Sequence, residues 1–314
     1  VPLFRSLDSL PASMKHGAVT IGNFDGVHRG HAQLIRRLVA EARAIDGPAV
    51  VFTFDPHPAK LLRPYEAPPP LTWTERKVEL LEELGVTATV AYPTDLALLE
   101  LTPRQFFQKI VLDGLSARAM VEGPNFCFGR GRSGNIETLA SLCHAAQVTL
   151  HVVPPVVVDG QVVSSSRIRQ ALEAGEVELA HDLLGRPYRL RGQVVAGARR
   201  GATLGFPTAN LDHIDTLVPG KAVYAGRAWL GARVWPAAVH VGPNPTFGED
   251  ARKVEVHLIG YTGALYGEWL QVDFVARMRE VRPFPSVEAL RHQLACDVEA
   301  ARALATASSA PRSG

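Results

Sequence analysis

Apolar and polar positions along this chain follow two different periods, and the change of period falls just past its middle. Residues 18–23, AVTIGN, form a short apolar run closed by a glycine turn, and residues 30–46 then carry Leu34, Ile35, Leu38, Val39 and Ala42 at helical spacing. That pattern predicts strand, loop, helix. AVVFTF at 49–54 predicts the next buried strand. Thr72 with Glu75 predicts a capping box for a helix ending at Gly85, before VTATVAY resumes strand character. Thr102, Pro103 and Gln105 predict a further helix start. ARAMVEG at 117–123 and TLHVVPP at 149–155 bracket one more helix. Strand and helix thus alternate as in an open, Rossmann-like α/β domain with a parallel sheet, which binds ligands at the carboxyl ends of its strands. Short helices at 166–174 and 176–184 close this half, and LGRPY at 184–188 reads as the junction.

Beyond the junction the period shortens to two. YRLRGQVVAG, AVYAGRAWLG, ARVWPAAVHVG, KVEVHLIGY and EWLQVDFVARM are strand-like runs separated by Gly and Pro, which predicts a small antiparallel β-barrel. Residues 286–304 return to helical spacing, with Val287, Leu290, Leu294, Val298 and Leu304 on one stripe and Ser286 as N-cap. The expected domains are 1–185 and 186–305, with 306–314 a disordered tail.

Composition narrows the classes of function. A chain of 314 residues with 46% hydrophobic content supports two cores. Thirty-three Lys and Arg against 31 Asp and Glu give no broad basic field, so the expected partners are small anions rather than nucleic acid. Cys127, Cys143 and Cys296 stand apart without a CxxC pair, which argues against a disulfide framework and a thiolate zinc site. No apolar leader or membrane-length run occurs, so a soluble enzyme of the reducing cytoplasm is expected.

Three constellations carry candidate chemistry. GNFDGVHRGH, residues 22–31, lies between the first strand and first helix, where unpaired N–H groups and the positive end of the helix dipole attract phosphate. Gly26 and Gly30 permit close approach, and His28 and His31 could donate to the same phosphates; a plain glycine-rich turn with two solvent histidines fits the residues too. VEGPNFCFGRGRSGN, residues 121–135, follows another strand and offers Asn125, Phe126, Phe128, Arg130 and Arg132, as a basic loop also would. SSSRIR, residues 164–169, places Ser165, Ser166 and Arg169 at a second helix start, either as caps or as triphosphate ligands.

GNFDGVHRGH, TFDPHP at 53–58, GPNFCFG and SSSRIR together resemble the nucleotidyltransferase domain of bacterial bifunctional riboflavin kinase/FAD synthetases. GATLGFPTAN at 201–210, VGPNPTFG at 241–248, VEVHL at 254–258 and LYG at 265–267 resemble the riboflavin-kinase domain of the same family, in the same order. The resemblance implies ATP, riboflavin and FMN as substrates, FAD as product and Mg2+ as metal. In the first domain it gives His28, His31, Asn125 and Arg169 the catalytic positions. Gly22, Phe24, Asp25, Gly26, Gly30, Ser165 and Ser166 would line the ATP site, with Phe54 and Asp55 on the flavin side. In the second it assigns Gly201, Pro207, Thr208 and Asn210 to nucleotide binding, Thr208 and Asn210 to Mg2+, and Glu255 to the base that accepts the ribityl hydroxyl proton. Periodicity alone puts Glu255 on a solvated strand face, because Val254, Val256 and Leu258 alternate with Lys253, Glu255 and His257.

The chain departs from the family where Ser166 replaces a frequent Thr, Ala202 a frequent basic residue and Ala222 a frequent Gly, and where Gly260 and Ala264 lie near usual acidic positions. Ser166 keeps its hydroxyl, and Arg199 or Arg200 stands beside Ala202 to supply charge. Two rival functions remain open at this level: a nucleotidyltransferase for another phosphate substrate with an accessory barrel, and a flavin-binding protein without turnover.

Overall fold

The computed structural model describes residues 1–197, 200–244 and 249–307, and divides the chain into two compact units. One holds residues 1–68 and 72–164. The other holds 69–71 and the chain from Ser165 onward.

The first unit is a six-stranded parallel sheet. Its strands are β1 (Leu3–Phe4), β2 (Ala18–Ile21), β3 (Ala49–Asp55), β4 (Ala88–Pro93), β5 (Ala119–Glu122) and β6 (Thr149–Val152), ordered β1-β4-β3-β2-β5-β6. Of these six, sequence periodicity missed β1, a two-residue strand paired with β4. Alternate residues serve opposite faces: Val19, Ile21, Val50, Phe52 and Met120 join one apolar cluster, Ala18, Ala49, Val51, Ala119 and Val121 the other. Helices α1 (Arg29–Ala44), α2 (Ala59–Leu62), α3 (Thr74–Glu83), α4 (Leu96–Leu99), α5 (Pro103–Phe106) and α6 (Ile136–Ala145) lie in the connections. At α5 the Thr102–Gln105 capping box forms as expected, and the chain continues as a π-helix over Phe107–Gly114. The capping box expected from Thr72 and Glu75 does not form. Trp73 occupies the N-cap of α3, and the Thr72 hydroxyl serves the loop after β2 instead.

The order of winding reverses between β2 and β5, the place where an open α/β sheet parts to admit a ligand. Their ladder holds only Ala18 to Ala119 and Val19 to Met120. Past that point the Ile21 N–H donates to the Glu122 carboxyl at 2.7 Å, a side chain standing in for the missing backbone acceptor. A two-stranded hairpin, β7 (Val157–Val158) and β8 (Gln161–Val162), ends the unit.

The second unit opens with α7 (Ser165–Glu173) and α8 (Val177–Leu184) and closes a six-stranded antiparallel barrel. Its strands are β9 (Tyr188–Val195), β10 (Ala209–Asp212), β11 (Ala222–Leu230), β12 (Arg233–Asn244), β13 (Glu249–Leu258) and β14 (Trp269–Arg279), in the order β10-β13-β12-β11-β14-β9. A single turn of helix, α9 (Arg200–Thr203), precedes β10, which the sequence had presented only as a motif. The helices α7 and α8 belong with the barrel by contact: Gly220 N–H donates to Leu172 O at 2.7 Å, and Arg277 N–H to Glu178 Oε1 at 2.8 Å. Gly185, left-handed at φ 78°, ends α8 and turns the chain into β9.

Helix α10 (Val287–Ala307) covers part of the barrel's outer face, with Ser286 Oγ accepting from Ala289 N–H as expected of an N-cap. Its buried stripe differs from the one read in the sequence. Val287 and Leu304 are exposed, while Asp297, Ala301 and Ala305 are buried. Asp297 can lie there because Arg279 pairs with it at 2.6 Å. Residues 306 and 307, assigned to a tail, continue the helix, with Thr306 Oγ1 donating to Arg302 O. Arg199, the PTFG of 245–248 and residues 308–314 lie outside the described residues. Among those described, no helix is long and apolar enough to cross a membrane.

Candidate active sites

The loop 22–28 leaves β2 through a sequence of left-handed conformations, with Phe24 at φ 47°, Gly26 at 85° and Val27 at 39°. Only Gly26 accepts this without strain. The other two are held by burial, for Phe24 and Val27 both sit in the apolar cluster under α1. Asp25 Oδ1 accepts from Thr72 N–H at 3.2 Å, and Gly26 N–H donates to Thr72 Oγ1 at 3.2 Å. The loop is therefore built from behind, and Phe24 and Asp25, expected to line the ATP site, are themselves buried in that support.

His28 is the N-cap of α1. Its Nδ1 accepts from His31 N–H at 3.3 Å, which leaves Nε2 to carry the proton of the neutral ring. The imidazole stacks on that of His31, with centroids 3.6 Å apart and planes 14° apart, and Phe24 meets His31 edge-on. Gly30 leaves the space: a β-carbon there would stand 3.1 Å from the His28 ring. Gly22 approaches the Phe24 ring in the same way, at 3.2 Å.

At the end of β3, Phe54 packs edge-on against Phe52. Asp55 Oδ2 accepts from Arg5 at 2.8 Å and Thr74 Oγ1 at 3.2 Å. Asn125 is exposed in the loop after β5, beside Phe126 stacked on the buried Phe128. Ser165, Ser166 and Arg169 fall in the first turns of α7, and Arg169 Nε donates to Pro69 O at 3.0 Å. These three belong to the second compact unit, so the first unit by itself brings together only His28, His31 and the residues of their loop, with Phe54, Asp55 and Asn125 at strand ends of the same sheet.

Two buried ionisable groups of this unit escaped sequence reasoning, Lys77 and Glu122. Lys77 lies under the loop, and desolvation lowers its ammonium below the ordinary 10.5 against the opposing pull of Asp25 and Asp55. Glu122 is 2% exposed, and burial pushes its carboxyl well above the ordinary 4.5 despite the Ile21 and Thr20 hydrogen bonds. The one available signal for Lys77 was a lysine at a core-facing position beside Val78, Leu80 and Leu81.

In the barrel, register does the placing. Asn210 of β10 stands opposite Glu255 of β13, which stands opposite His240 of β12; the row continues through Val223 of β11 to Arg279 of β14. Directly opposed residues share a face and bring their β-carbons to about 5 Å. Val239, Val254 and Val256 fill the barrel interior, so this row lies outside, yet Glu255, His240 and Asn210 are half-buried rather than freely solvated. Burial lowers the His240 pKa from 6.5, with Glu255 pulling the other way, and its Nε2 donates to Pro243 O at 3.1 Å. Gly197 leaves room for the Asn210 amide, since a β-carbon there would collide with it at 2.2 Å.

The turn before β10 folds onto itself. Phe206 N–H donates to Gly201 O at 2.8 Å, and Gly201 can hold no side chain because Phe206 O would stand 2.4 Å from it. Pro207 O accepts from His257 Nδ1 at 2.8 Å, fixing the approach to Thr208 and Asn210. Thr208 hydroxyl and Asn210 amide are neutral oxygen donors, the kind that suits magnesium, an ion that keeps several waters and is completed by substrate phosphates. A cavity of about 410 Å3 opens nearby, lined by Gln193, Val194, Val195, Ala196, Tyr266 and Gly267, so the LYG motif faces the end of β9.

Two family models match the chain in succession. A model described as FAD synthetase matches residues 10–167, and one described as riboflavin kinase matches residues 184–305. The bifunctional riboflavin kinase/FMN adenylyltransferase of Pseudomonas fluorescens is 36% identical over 307 residues, covering 98% of both chains. That of Escherichia coli K12 is 34% identical with 96% of each chain covered, and that of Bacillus subtilis 33% with 90% of each. A solved structure from Streptococcus pneumoniae, described as a macrolide-efflux protein, has a TM-score of 0.85 at 31% identity over 96% of this chain and 98% of that one. With both models in chain order and relatives matched along nearly their whole length, the chain belongs to the bifunctional riboflavin kinase/FMN adenylyltransferase family, phosphorylating riboflavin to FMN with its second domain and adenylylating FMN to FAD with its first.

Proposed function

We propose that Glu255 is the base of the kinase reaction and that the loop 22–31 is the phosphate site of the adenylylation. The observation that carries the first assignment is the cross-strand row, which sets Glu255 directly beside Asn210. Its carboxylate accepts the ribityl hydroxyl proton as that oxygen attacks the γ-phosphorus of ATP and ADP departs. Thr208 and Asn210 hold Mg2+, which when bound neutralises charge on the phosphates. Their positions at the head of β10 are supported by the fixed turn 201–207.

In the first domain an oxygen of the FMN phosphate attacks the α-phosphorus of ATP and pyrophosphate leaves, with no covalent intermediate on the protein. Catalysis then consists of positioning and charge stabilisation. The His28 Nε2–H, the His31 ring and the N-terminus of α1 receive the ATP phosphates, Asn125 and Arg169 stabilise migrating charge, Ser165 and Ser166 bind the triphosphate, and Phe54 faces the flavin. The catalytic halves are proposed to divide at 185, and the three free thiols fit a reducing cytoplasm.

The test is Glu255→Gln, assayed for both half-reactions. FMN formation from riboflavin and MgATP should fall about 10²- to 10⁴-fold, while FAD formation from added FMN and the melting temperature stay near the parent's. Retained kinase activity in the folded variant returns Glu255 to a structural strand face.

A further inference from the structure

Lys77 lies one turn into α3 and is 8% exposed. Its Nζ donates to the Asn23 carbonyl at 2.8 Å and reaches Thr53 Oγ1 at 3.4 Å, while Thr53 Oγ1 itself donates to the same carbonyl at 3.1 Å. A cation from a helix and a hydroxyl from β3 thus converge on one backbone oxygen of the loop that follows β2. The residues on either side are tied to the same helix start: Asp25 to Thr72, and Asp55 to Thr74.

Burying an ammonium costs free energy, and a leucine or methionine would satisfy the apolar stripe of α3 without that cost. What the lysine alone supplies is a long donor that spans two motifs. One is the GNFDG turn that leads to His28. The other is the TFD end of β3, which carries Phe54. We propose that Lys77 is a positioning residue for FMN adenylylation, holding these two segments in register so that the ATP and FMN phosphates they serve meet in attack geometry. The inference rests on the reading of residues 22–31 as the nucleotide site. A displacement of about 1 Å between reacting groups can cost about 10²-fold in rate, so a clamp that touches neither substrate still governs turnover.

The experiment uses the full chain carrying Lys77→Met, with kcat and both KM values measured for FAD formation, FMN formation from riboflavin in the same preparation, and thermal melting. The expected result is a kcat for FAD formation lower by about 10- to 10²-fold, KM values changed far less, and kinase activity unchanged. Thr53→Val should give a smaller loss of kcat, and the double variant no more than Lys77→Met alone, because both act through the Asn23 carbonyl. A lysine with a structural role only would lower the melting temperature and leave kcat intact well below it; that result overturns the proposal. Should Lys77→Met fail to fold, Thr53→Val decides, and an unchanged kcat there overturns it equally. His28→Ala separates the two readings. If it retains full FAD formation, the nucleotide-site assignment fails. If it loses activity while Lys77→Met and Thr53→Val keep theirs, only the clamp fails.

Discussion

The two halves of this enzyme place their chemistry by opposite means. In the barrel, unbroken antiparallel register sets Asn210, Glu255 and His240 side by side, and the backbone ladder itself is the jig. In the parallel sheet the candidate groups sit where ladders stop. There the backbone has lost its partners, and side chains from elsewhere take over: Glu122 for Ile21, Thr72 for Gly26, Lys77 for Asn23. A site made by register should tolerate changes around it and fail only when its own residues change. A site made at ladder ends should be sensitive to residues that never meet a substrate.

The largest expected effect concerns where the halves divide. Fragment 186–314 lacks α7 and α8, whose Ile168, Leu172, Val177, Leu183 and Leu184 are buried. Losing such contacts costs about 1.5–3 kcal/mol for each large side chain uncovered. We expect fragment 165–314 to melt cooperatively and 186–314 to melt at a clearly lower temperature, by calorimetry. Equal melting would detach both helices from the barrel's stability.

Next in size is His28→Ala. If His28 is a preorganised donor at the proposed phosphate site, its loss should cost roughly 10²-fold in FAD formation, about 2.7 kcal/mol, with FMN formation intact. Equal loss of both activities would break the separation of the two sites.

The smallest effect is a pair of opposite pH slopes. Glu122 has a folded pKa above its ordinary 4.5, so the folded chain keeps a proton that the unfolded chain releases, and stability falls as pH rises from there. Glu122→Gln should remove that loss, so its melting temperature should gain on the parent's as pH rises. His240 has a folded pKa below 6.5, so the unfolded chain takes up a proton the folded chain refuses, and stability falls as pH drops below that value. His240→Asn should gain on the parent's as pH falls. Melting curves between about pH 5 and 8 should show shifts of a few degrees at most, with opposite trends. A common trend would show that burial does not dominate at one of the two residues.

Much of this architecture was legible from periodicity, because long strands and helices bury regular stripes: β2, β3, α1 and five of the six barrel strands fell where apolar spacing put them. The short PTAN strand β10 was hidden because four residues carry no period. Thr72 misled because a hydroxyl before a helix is ordinarily a cap, and only the fold shows it donating to Asp25 and accepting from Gly26 instead. Val287 and Leu304 misled because a stripe read as uniformly apolar was interrupted by Asp297, whose partner Arg279 lies on a distant strand. Lys77 and Glu122 were invisible for a related reason. A charged residue reads as surface until tertiary structure supplies what surrounds it.

The loop after β2 is fixed by the chain's own groups, through Thr72, Lys77 and the burial of Phe24 and Val27. A free loop ordered only by its ligand would give up about 1–2 kcal/mol of backbone entropy for every residue fixed at the moment of binding. Here that ordering belongs to folding. If the proposed nucleotide site is this loop, little of the binding free energy of ATP goes into ordering it, and the apparent dissociation constant should lie near the intrinsic one.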